Sequence, residues 1–566
     1  MFPCNSEKAV GMLRVVVVLL AQAVLVYGHF FGHNIFTVLL FAGLLPGFLV
    51  LLYQNSKFRD RRIRALLETK IQQRNAERRS GQWVNFEGSG EEYLDKTHPY
   101  SGDLNLFGEA SLFQYVNDTS THYGKEILKI LFLSDKRDTD TVLRRQAAIK
   151  ELSANSQFCR ALKIEGMISE DISQSPKEMV DFFEGSNKLF EKLSVKYLAR
   201  LFPALTGLLL AFNLIAGLNN MLLILFVLSV FVQVLVYASL SAKTENVLKE
   251  MSKFKTGLDS FGTMAALIKK TVFTAELNLT WQNKLPDKWD LKKISRALNV
   301  RNLTVLDLAL NILFLWDIHC VCTLENIRAK GAKNMRTWLE AIGYFEAMSS
   351  MAVLPQQNPN WAYLEPGEEL AIQAKNLGHP LIEEYDRVTN DFELKGIAII
   401  SGSNMSGKTT FMRTIGINLV LGYMGAPVCA NKFKAPFVDI WTCMRPPDNL
   451  KQNISTFYAE LLRIRDIINT TKPMLFLIDE IFAGTNSEDR VEGAKHVLIT
   501  LQKKRNLGLI TTHDIEVCKL EGFENYHFRE YYENTEICFD YKIKPGESRT
   551  RNAKYLMRMI GIEIGL

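Results

Sequence analysis

The chain has 566 residues, of which 47% are hydrophobic and 23% are charged, and its formal net charge at pH 7 is +6. This length predicts three or four domains, and this composition excludes a disordered chain. So small a net charge does not indicate nucleic-acid binding. The eight cysteines include no C-x-x-C pair, which argues against a zinc site or a disulfide framework.

Two pairs of long apolar segments predict four transmembrane helices, because about 20 apolar residues are needed to cross the hydrocarbon core. The segments are 15–31, 35–53, 201–217 and 221–240. A signal peptide is the alternative for the first segment, but no small-x-small cleavage site precedes the next apolar run. A buried hairpin of a soluble helical domain is the alternative for the second pair.

Basic residues flank these segments on one side. Arg200 and Lys243 border the second pair, and a basic cluster follows the first pair: Lys57, Arg59, Arg61, Arg62, Arg64, Lys70, Arg74, Arg78 and Arg79. The positive-inside rule then predicts that both termini and every long segment are cytoplasmic, as in a multi-pass protein of a bacterial-type inner membrane. The basic cluster either contacts anionic lipid headgroups or forms a solvated helical face.

The remaining patterns divide the chain into six regions. Amphipathic helical spacing dominates up to a break at 355–366, and short apolar strands alternate with helices beyond it, which predicts an α/β domain. The predicted regions are a transmembrane hairpin (1–56), a basic cytoplasmic helix and linker (57–103), a helical core-like region (104–196), a second transmembrane hairpin (197–243), a helical lever-like region (244–365) and an ATPase domain (366–566).

Residues 402–409, Gly-Ser-Asn-Met-Ser-Gly-Lys-Thr, match the phosphate-loop pattern G-x-x-x-x-G-K-[ST] in full. An apolar run precedes the loop and a helical pattern follows it. A motif that lies between a strand and a helix in this way is typical of a phosphate-binding loop. Backbone N–H groups and the helix N-terminus attract phosphate oxygens. We expect Lys408 to reach the β- and γ-phosphates and Thr409 to bind Mg²⁺. The predicted ATP-binding residues of the loop are Gly402, Ser403, Asn404, Met405, Ser406, Gly407, Lys408, Thr409 and Thr410.

Two further apolar strands end in polar residues that fit the same site. The run 474–478 ends in Asp479 and Glu480, and the run 507–512 ends in His513. In phosphate-loop ATPases such an aspartate holds Mg²⁺ through water, and such a glutamate polarises the attacking water. His513 would sense the γ-phosphate, so Lys408, Glu480 and His513 are the predicted catalytic residues. The alternatives are a strand that merely ends in acids and a structural histidine.

Several motifs resemble those of the MutS ATPases of the DNA mismatch-repair type. The resemblance covers residues 365–566 well, and a weaker one extends upstream from residue 107. The matching stretches are 403–413 with its Asn404-Met405 pair, Ser455-Thr456-Phe457, Asp479-Glu480 with Gly484-Thr485, and Thr511-Thr512-His513.

This resemblance implies an α/β P-loop NTPase of the ABC/MutS type that uses ATP and Mg²⁺. It also implies a homodimer with composite sites, in which Ser455 serves the partner's nucleotide, and it implies that Asn390 and Phe392 lie near the adenine base. The family's mismatch reader is an N-terminal domain, and here a membrane hairpin and linker replace it. Phe107-Gly-Glu109 has the reader's Phe-x-Glu pattern, but the residues that flank it are typical of a core.

Three functions remain open at this point. The first is a membrane-anchored MutS-like ATPase that binds mismatched or branched DNA. The second is an ATPase that acts on the membrane or on an unknown protein partner without DNA. The third is an ABC-type transporter, which is disfavoured because the chain has Ser455-Thr-Phe-Tyr458 instead of a Leu-Ser-Gly-Gly-Gln signature and no charge within its apolar segments.

Overall fold

The computed structural model describes residues 2–547 apart from 32–34, 96, 135–136, 171–175, 186–187, 217–219, 289–294, 296, 299–303, 332–333, 404, 445–455, 483–485 and 534–535. Two predicted site residues, Asn404 and Ser455, and the Gly484-Thr485 pair therefore lie outside the described residues.

The chain forms two compact units, 1–78 and 79–566. The first unit is built from helices α1 (Phe2–Phe31) and α2 (Ile35–Arg79). Helix α2 runs without a break from an apolar half into the predicted basic cluster, which is rich in strong helix formers. The unit boundary falls within the predicted region 57–103.

The second unit begins with helices that surround two hydrophobic clusters. Short 3₁₀ turns at Gln82–Asn85 and Glu91–Tyr93 precede them. The helices are α3 (Leu112–Val116), α4 (His122–Phe132), α5 (Thr139–Ala154), α6 (Ser156–Glu170), α7 (Pro176–Glu184), α8 (Lys188–Glu191), α9 (Leu193–Ala216), α10 (Asn220–Lys253), α11 (Lys255–Lys270), α12 (Glu276–Asn283), α13 (Thr304–Phe314), α14 (Trp316–Gly331) and α15 (Met335–Gln357).

Strands and helices alternate in the rest of the second unit. The strands are β1 (Ala362–Tyr363), β2 (Glu365–Pro366), β3 (Ile372–Leu377), β4 (Asn390–Leu394), β5 (Ile397–Ser401), β6 (Pro427–Val428), β7 (Lys432–Ala435), β8 (Asp439–Cys443), β9 (Met474–Ile478), β10 (Leu507–Thr512), β11 (Glu524–Glu533) and β12 (Glu536–Pro545). The helices are α16 (Lys408–Met424), α17 (Thr456–Asn469), α18 (Ser487–Lys503) and α19 (Ile515–Cys518).

A six-stranded sheet in the order β12-β11-β5-β10-β9-β8 carries the phosphate loop. Its five strands from β11 to β8 are parallel, and β12 is the antiparallel edge strand. Strands β5, β9 and β10 are buried along their whole length, as expected for a parallel sheet that is covered on both faces. The predicted α/β ATPase-type fold is thus present, and the unit is otherwise mostly helical.

The predicted linker at 81–102 is a packed segment instead of a loose connection. Its glycines, serine and proline predicted a linker, but Trp83, Phe86 and Tyr100 are buried in the main hydrophobic cluster. Tertiary packing therefore overrides local composition here. The same cluster contains residues of α4, α5, α15 and α16, so helical and ATPase regions share one core across the predicted boundary at 365/366.

Two helices among the described residues are long and apolar enough to cross a membrane, namely Ser194–Asn213 and Asn220–Lys253. They form the second predicted hairpin, and α9 packs directly against α10. In the first unit the described residues contain a shorter apolar stretch, Gly11–Val24. The sequence predicted four transmembrane helices, and among the described residues two helices are long and apolar enough to cross a membrane. The first transmembrane hairpin stays a prediction.

Candidate functional site

Three neighbouring strands bring the predicted site residues to one edge of the sheet. Strand β10 lies between β5 and β9, with Thr512 opposite Ser401 and Ile510 opposite Ile478. The phosphate loop follows β5, the Asp479–Glu480 pair follows β9, and His513 follows β10. Ligands of open parallel sheets bind at the carboxyl ends of the strands, which is where these residues meet.

The phosphate loop needs its two outer glycines for conformational reasons. Gly402 and Gly407 have φ angles of 145° and 102°, which L-residues rarely adopt. A Cβ atom on Gly402 would lie 2.9 Å from the Phe528 carbonyl oxygen, and one on Gly407 would lie 3.1 Å from the ring of Tyr541. The loop is therefore packed closely against the β11–β12 hairpin, and Gly407 is the N-cap of helix α16.

The Lys408 side chain is folded back over the loop. It is 5% exposed, and its Nζ donates hydrogen bonds of 2.9 Å to the carbonyl oxygens of Gly402 and Ser403. Burial lowers the pKa of Lys408, and the carboxylates of Glu480, Asp479 and Glu530 oppose this shift.

Thr409 and Asp479 place two oxygen donors next to each other. The Thr409 hydroxyl donates a hydrogen bond of 2.6 Å to Asp479 Oδ2, and the Thr511 hydroxyl donates to Oδ1. Hydroxyl and carboxylate oxygens are ligands that suit Mg²⁺, which usually takes few protein ligands and completes its shell with phosphate and water. Among the described residues, no group of three or more His, Cys, Asp or Glu is placed to hold a metal ion.

Glu480 and His513 form a pair beside the loop. His513 Nε2 lies 2.7 Å from Glu480 Oε1, and both side chains are about two-fifths exposed. The hydrogen bond from His513 lowers the pKa of Glu480, although burial acts in the opposite direction. The backbone N–H of Glu480 donates to the Thr511 hydroxyl at 2.9 Å. Thr511, for which the sequence predicted no separate role, therefore holds the Asp479 carboxylate and the Glu480 backbone from the neighbouring strand.

A cavity of about 420 Å³ opens next to the loop, and its lining includes the loop, Lys408 and Glu480. Asn390 also lines it, and both ends of the Asn390 amide are bound to the backbone of strand β12. Its Nδ2 donates to the Tyr541 carbonyl oxygen at 3.1 Å, and its Oδ1 accepts from the Ile543 N–H at 2.9 Å. Asn390 thus holds strand β12, which carries the lining residue Tyr541.

Phe392 lies beneath the cavity and is absent from its lining. The ring is 5% exposed and packs edge-on against Phe411 and Tyr526 at centroid distances of 5.0 and 5.3 Å. Asn390 and Phe392 share the buried face of β4, and the ring of Phe411, which lines the cavity, lies against Phe392. The exposed aromatic ring at this end of the cavity belongs to Tyr541, which no local motif signals.

His379, for which the sequence predicted no role in the site, also lines the cavity. Burial, together with Arg413 and Arg387, lowers the pKa of His379 to about 4, so its imidazole is neutral at pH 7. A neutral imidazole at this position adds no positive charge to a phosphate site.

Phe107 is a core residue, as its flanks predicted. It is 1% exposed, and its ring lies 5.4 Å from that of Phe113 and 5.7 Å from that of Phe132. A ring held in such a cluster is not available to wedge between base pairs. The Phe-x-Glu pattern therefore serves packing in this chain.

Comparison with known proteins relates this site to one family. Residues 398–562 match the family described as MutS domain V. The chain is 24% identical over 494 residues to the DNA mismatch repair protein MutS of Aquifex pyrophilus, which covers 78% of this chain and 56% of that protein. It is 29% identical over 236 residues to the protein of the same name from Persephonella marina, which covers 40% of this chain and 27% of that protein. The chain thus spans about half the length of the first relative and about a quarter of the second.

Proposed function

We propose that this chain, which belongs to the MutS family through its C-terminal ATPase-type domain, binds ATP with Mg²⁺ in the cavity beside the phosphate loop and hydrolyses it. The observation that carries this proposal is the meeting of three strand ends, where Lys408, Thr409 and Glu480 line one cavity while Asp479 contacts Thr409 and His513 contacts Glu480.

Each side chain of the site has a part in the proposed reaction. Lys408 would exchange its two carbonyl partners for the β- and γ-phosphates. Thr409 and Asp479 would hold Mg²⁺, which neutralises phosphate charge when it is bound. Glu480 would accept a proton from the attacking water, and its lowered pKa keeps it ionised at neutral pH. His513 would orient the Glu480 carboxylate through their 2.7 Å contact.

Two variants of the full chain test the ATPase proposal. Lys408→Ala should abolish both nucleotide binding and hydrolysis, because the cation that holds the phosphates is lost. Glu480→Gln should retain ATP binding and lower the hydrolysis rate by a factor of about 10²–10⁴, which is the usual contribution of a general base. Hydrolysis by Glu480→Gln at the wild-type rate would refute the role of this carboxylate.

The hairpin α9–α10 supports a membrane anchor because its polarity is inverted. Thr206, Ser229 and Gln233 are buried inside the hairpin, and the Thr206 and Ser229 hydroxyls lie 2.9 Å apart. Large apolar residues such as Leu228 and Phe231 point outward and are 55% and 57% exposed. A soluble helical domain buries its apolar face and exposes its polar one. Polar contacts between helices with apolar residues outside are typical of packing in a bilayer.

Helix α13 shows the same inversion beside the hairpin. Asn311 is fully buried, and its amide donates to Asp307 at 3.1 Å, whereas Leu308 and Phe314 are 55% and 49% exposed. Helix α13 packs against α9 and α10. We therefore infer a multi-pass protein of a bacterial-type inner membrane, with the ATPase domain and both termini in the cytoplasm, in keeping with the basic residues that flank the apolar segments.

An environment-sensitive fluorescent amino acid tests the anchor in the full chain in lipid nanodiscs. Placed at Leu228 it should be quenched by lipids that carry a spin label in their acyl chains. Placed at Val272, which is 88% exposed outside the hairpin, it should be quenched by iodide instead. Iodide quenching at Leu228 equal to that at Val272 would refute a membrane position for the hairpin.

We also infer a homodimer with composite sites, on the basis of the resemblance around Ser455. With ATP and Mg²⁺, Glu480→Gln should accumulate as a dimer in detergent, as measured by light scattering. Ser455→Ala in the same background should return it to the monomer. A mass of one copy under all conditions would refute the composite site.

DNA binding is a second candidate function, favoured by the names of the relatives, which are DNA mismatch repair proteins. The purified full chain would be titrated with homoduplex, mismatched and branched DNA at several salt concentrations. Binding through phosphate contacts must weaken steeply as salt rises. Absence of binding to all three forms at low salt would leave the alternative, a nucleotide switch that acts on the membrane or on a protein partner.

A further inference from the structure

A buried carboxylate lies against the phosphate loop and has no part in the mechanism above. Strand β11 runs parallel to β5 with His527 opposite Ser401, and Glu530 lies three residues further along, beside the start of the loop. Glu530 is 2% exposed. The Ser403 hydroxyl donates a hydrogen bond to its Oε2, and its Oε1 is buried without a hydrogen-bond partner among the described residues.

Such a position is unfavourable for a carboxylate. Buried charges in proteins are normally paired or hydrogen-bonded through all their oxygens, because removal from water disfavours the charged form. Glu530 has a single described partner, and that partner is a neutral hydroxyl. An apolar side chain would fill the same space at lower cost, so the carboxylate calls for an explanation in its effect on the loop.

The loop residue Ser403 is held from two sides. Its hydroxyl is bound to Glu530, and its carbonyl oxygen accepts the 2.9 Å hydrogen bond from Lys408. Glu530 is also one of the three carboxylates that favour the charged form of Lys408. The cation that would bind the nucleotide phosphates therefore already lies in the field of this carboxylate, and so would the phosphates themselves.

We propose that Glu530 sets the nucleotide affinity of this site: it anchors the phosphate loop through Ser403 and repels the phosphates of a bound nucleotide. ATP then binds more weakly than the loop alone would allow, and the penalty grows with the number of phosphates. This inference rests on the proposed ATP-binding function of the same cavity. It concerns Glu530 and Ser403, which lie outside the Glu480–His513 pair and the Thr409–Asp479 contact.

The test uses Glu530→Gln in the full chain, because glutamine keeps the size and an oxygen acceptor for Ser403 while it removes the charge. Dissociation constants for ATP, ADP and adenosine would be measured by calorimetry with Mg²⁺. ATP should bind about tenfold more tightly, because the substitution removes the repulsion between the carboxylate and the phosphates, which Mg²⁺ and water reduce to about 1.4 kcal/mol. The affinity for ADP should rise about threefold and the affinity for adenosine should not change, because the repulsion depends on the phosphate charge.

Three control variants separate charge from structure. Glu524→Gln removes the same charge on the same strand six residues away, which is about 20 Å along β11, and should leave all three affinities unchanged. Ser403→Ala removes the anchor and keeps the charge, so it should give no gain in ATP affinity. Glu530→Met removes the charge and the acceptor together. Its gain in affinity should again be largest for ATP, smaller for ADP and absent for adenosine. Methionine has no amide that could contact the ligand, so such a result would assign the gain to the loss of charge.

The outcomes distinguish this inference from the proposed function. Wild-type and Glu530→Gln proteins that bind ATP equally well would overturn the inference and leave the ATPase proposal intact. An equal change for all three ligands, adenosine included, would also overturn it, because it would assign Glu530 a purely structural role. Absence of ATP binding in both proteins would overturn both proposals.

Discussion

The replacement of Asn390 by alanine tests whether this residue reads the base or positions the strand that borders the cavity. The structure favours positioning, because both ends of the amide are bound to the β12 backbone. Asn390→Ala removes two hydrogen bonds that are worth about 1 kcal/mol each, and it leaves the N–H of Ile543 without its partner. We expect the free energy of unfolding to fall by about 2–4 kcal/mol.

The effect on binding follows from the loosening of Tyr541. Tyr541 lines the cavity, and we expect its ring to pack against the bound base. An aromatic contact contributes about 0.5–1.5 kcal/mol beyond its buried area, so the dissociation constant for ATP should rise about two- to tenfold when this contact is loosened. The assay is fluorescence titration with ATP and with GTP for the wild type, Asn390→Ala, Tyr541→Ala and the double variant. If Asn390 acts by positioning Tyr541, Asn390→Ala should weaken the binding of ATP and of GTP equally. The double variant should then bind no more weakly than Tyr541→Ala alone.

Asn390→Asp is the matched control, since it keeps the acceptor for the Ile543 N–H and loses the donor to Tyr541. It should fall between the wild type and Asn390→Ala in both stability and affinity. A loss that affects ATP and spares GTP would show direct base recognition by Asn390, which the resemblance places near the adenine base. Additive losses in the double variant would likewise refute the positioning argument.

Three further predictions follow from contacts around the site and in the helical core. His513→Ala should shift the acid limb of the pH–rate profile of ATP hydrolysis to higher pH, because the hydrogen bond from His513 lowers the pKa of Glu480 and burial raises it; an acid limb that stays at its wild-type position would contradict this. Asp103→Ala removes acceptors of the Thr442 hydroxyl at 2.7 Å and of a backbone N–H, and should lower the thermal midpoint by the equivalent of about 1–3 kcal/mol. Glu346→Ala leaves two backbone N–H groups at the start of α4 without their acceptor and should lower the free energy of unfolding by about 3 kcal/mol. Glu346→Gln should lower it by less, as measured by thermal unfolding of both variants.

The chemistry of the site was predictable where it depends on short motifs at strand ends. The phosphate loop, the Asp479–Glu480 pair and His513 each follow an apolar run, and parallel strands carry such residues to the same edge. The structure places Glu480 and His513 2.7 Å apart, in agreement with the expectation that their strands are neighbours. Their catalytic roles stay predictions.

The rest of the site depends on which strands come last in the sheet. Tyr541 and Glu530 approach the loop because β11 adds beside β5 and β12 returns along it, about 130 residues after the loop in the chain. No local pattern encodes that pairing. Phe392 is absent from the cavity lining although Asn390, on the same face of β4, is part of it, and its place near the adenine base stays a prediction.

Helix α15 offers a physical route from the ATPase core to the apolar hairpin. Its start at Met335 and Leu339 belongs to the cluster that contains the base of the hairpin, and its later turns belong to the main core with α4, α5 and α16. At about 1.5 Å per residue its 23 residues extend about 34 Å. Gly343 lets α15 approach α4 closely, because a Cβ there would lie 2.6 Å from the backbone of Tyr123. Because α15 lies this close to α4 and contributes residues to both clusters, we expect any nucleotide-dependent displacement of α4 to reach the hairpin through α15.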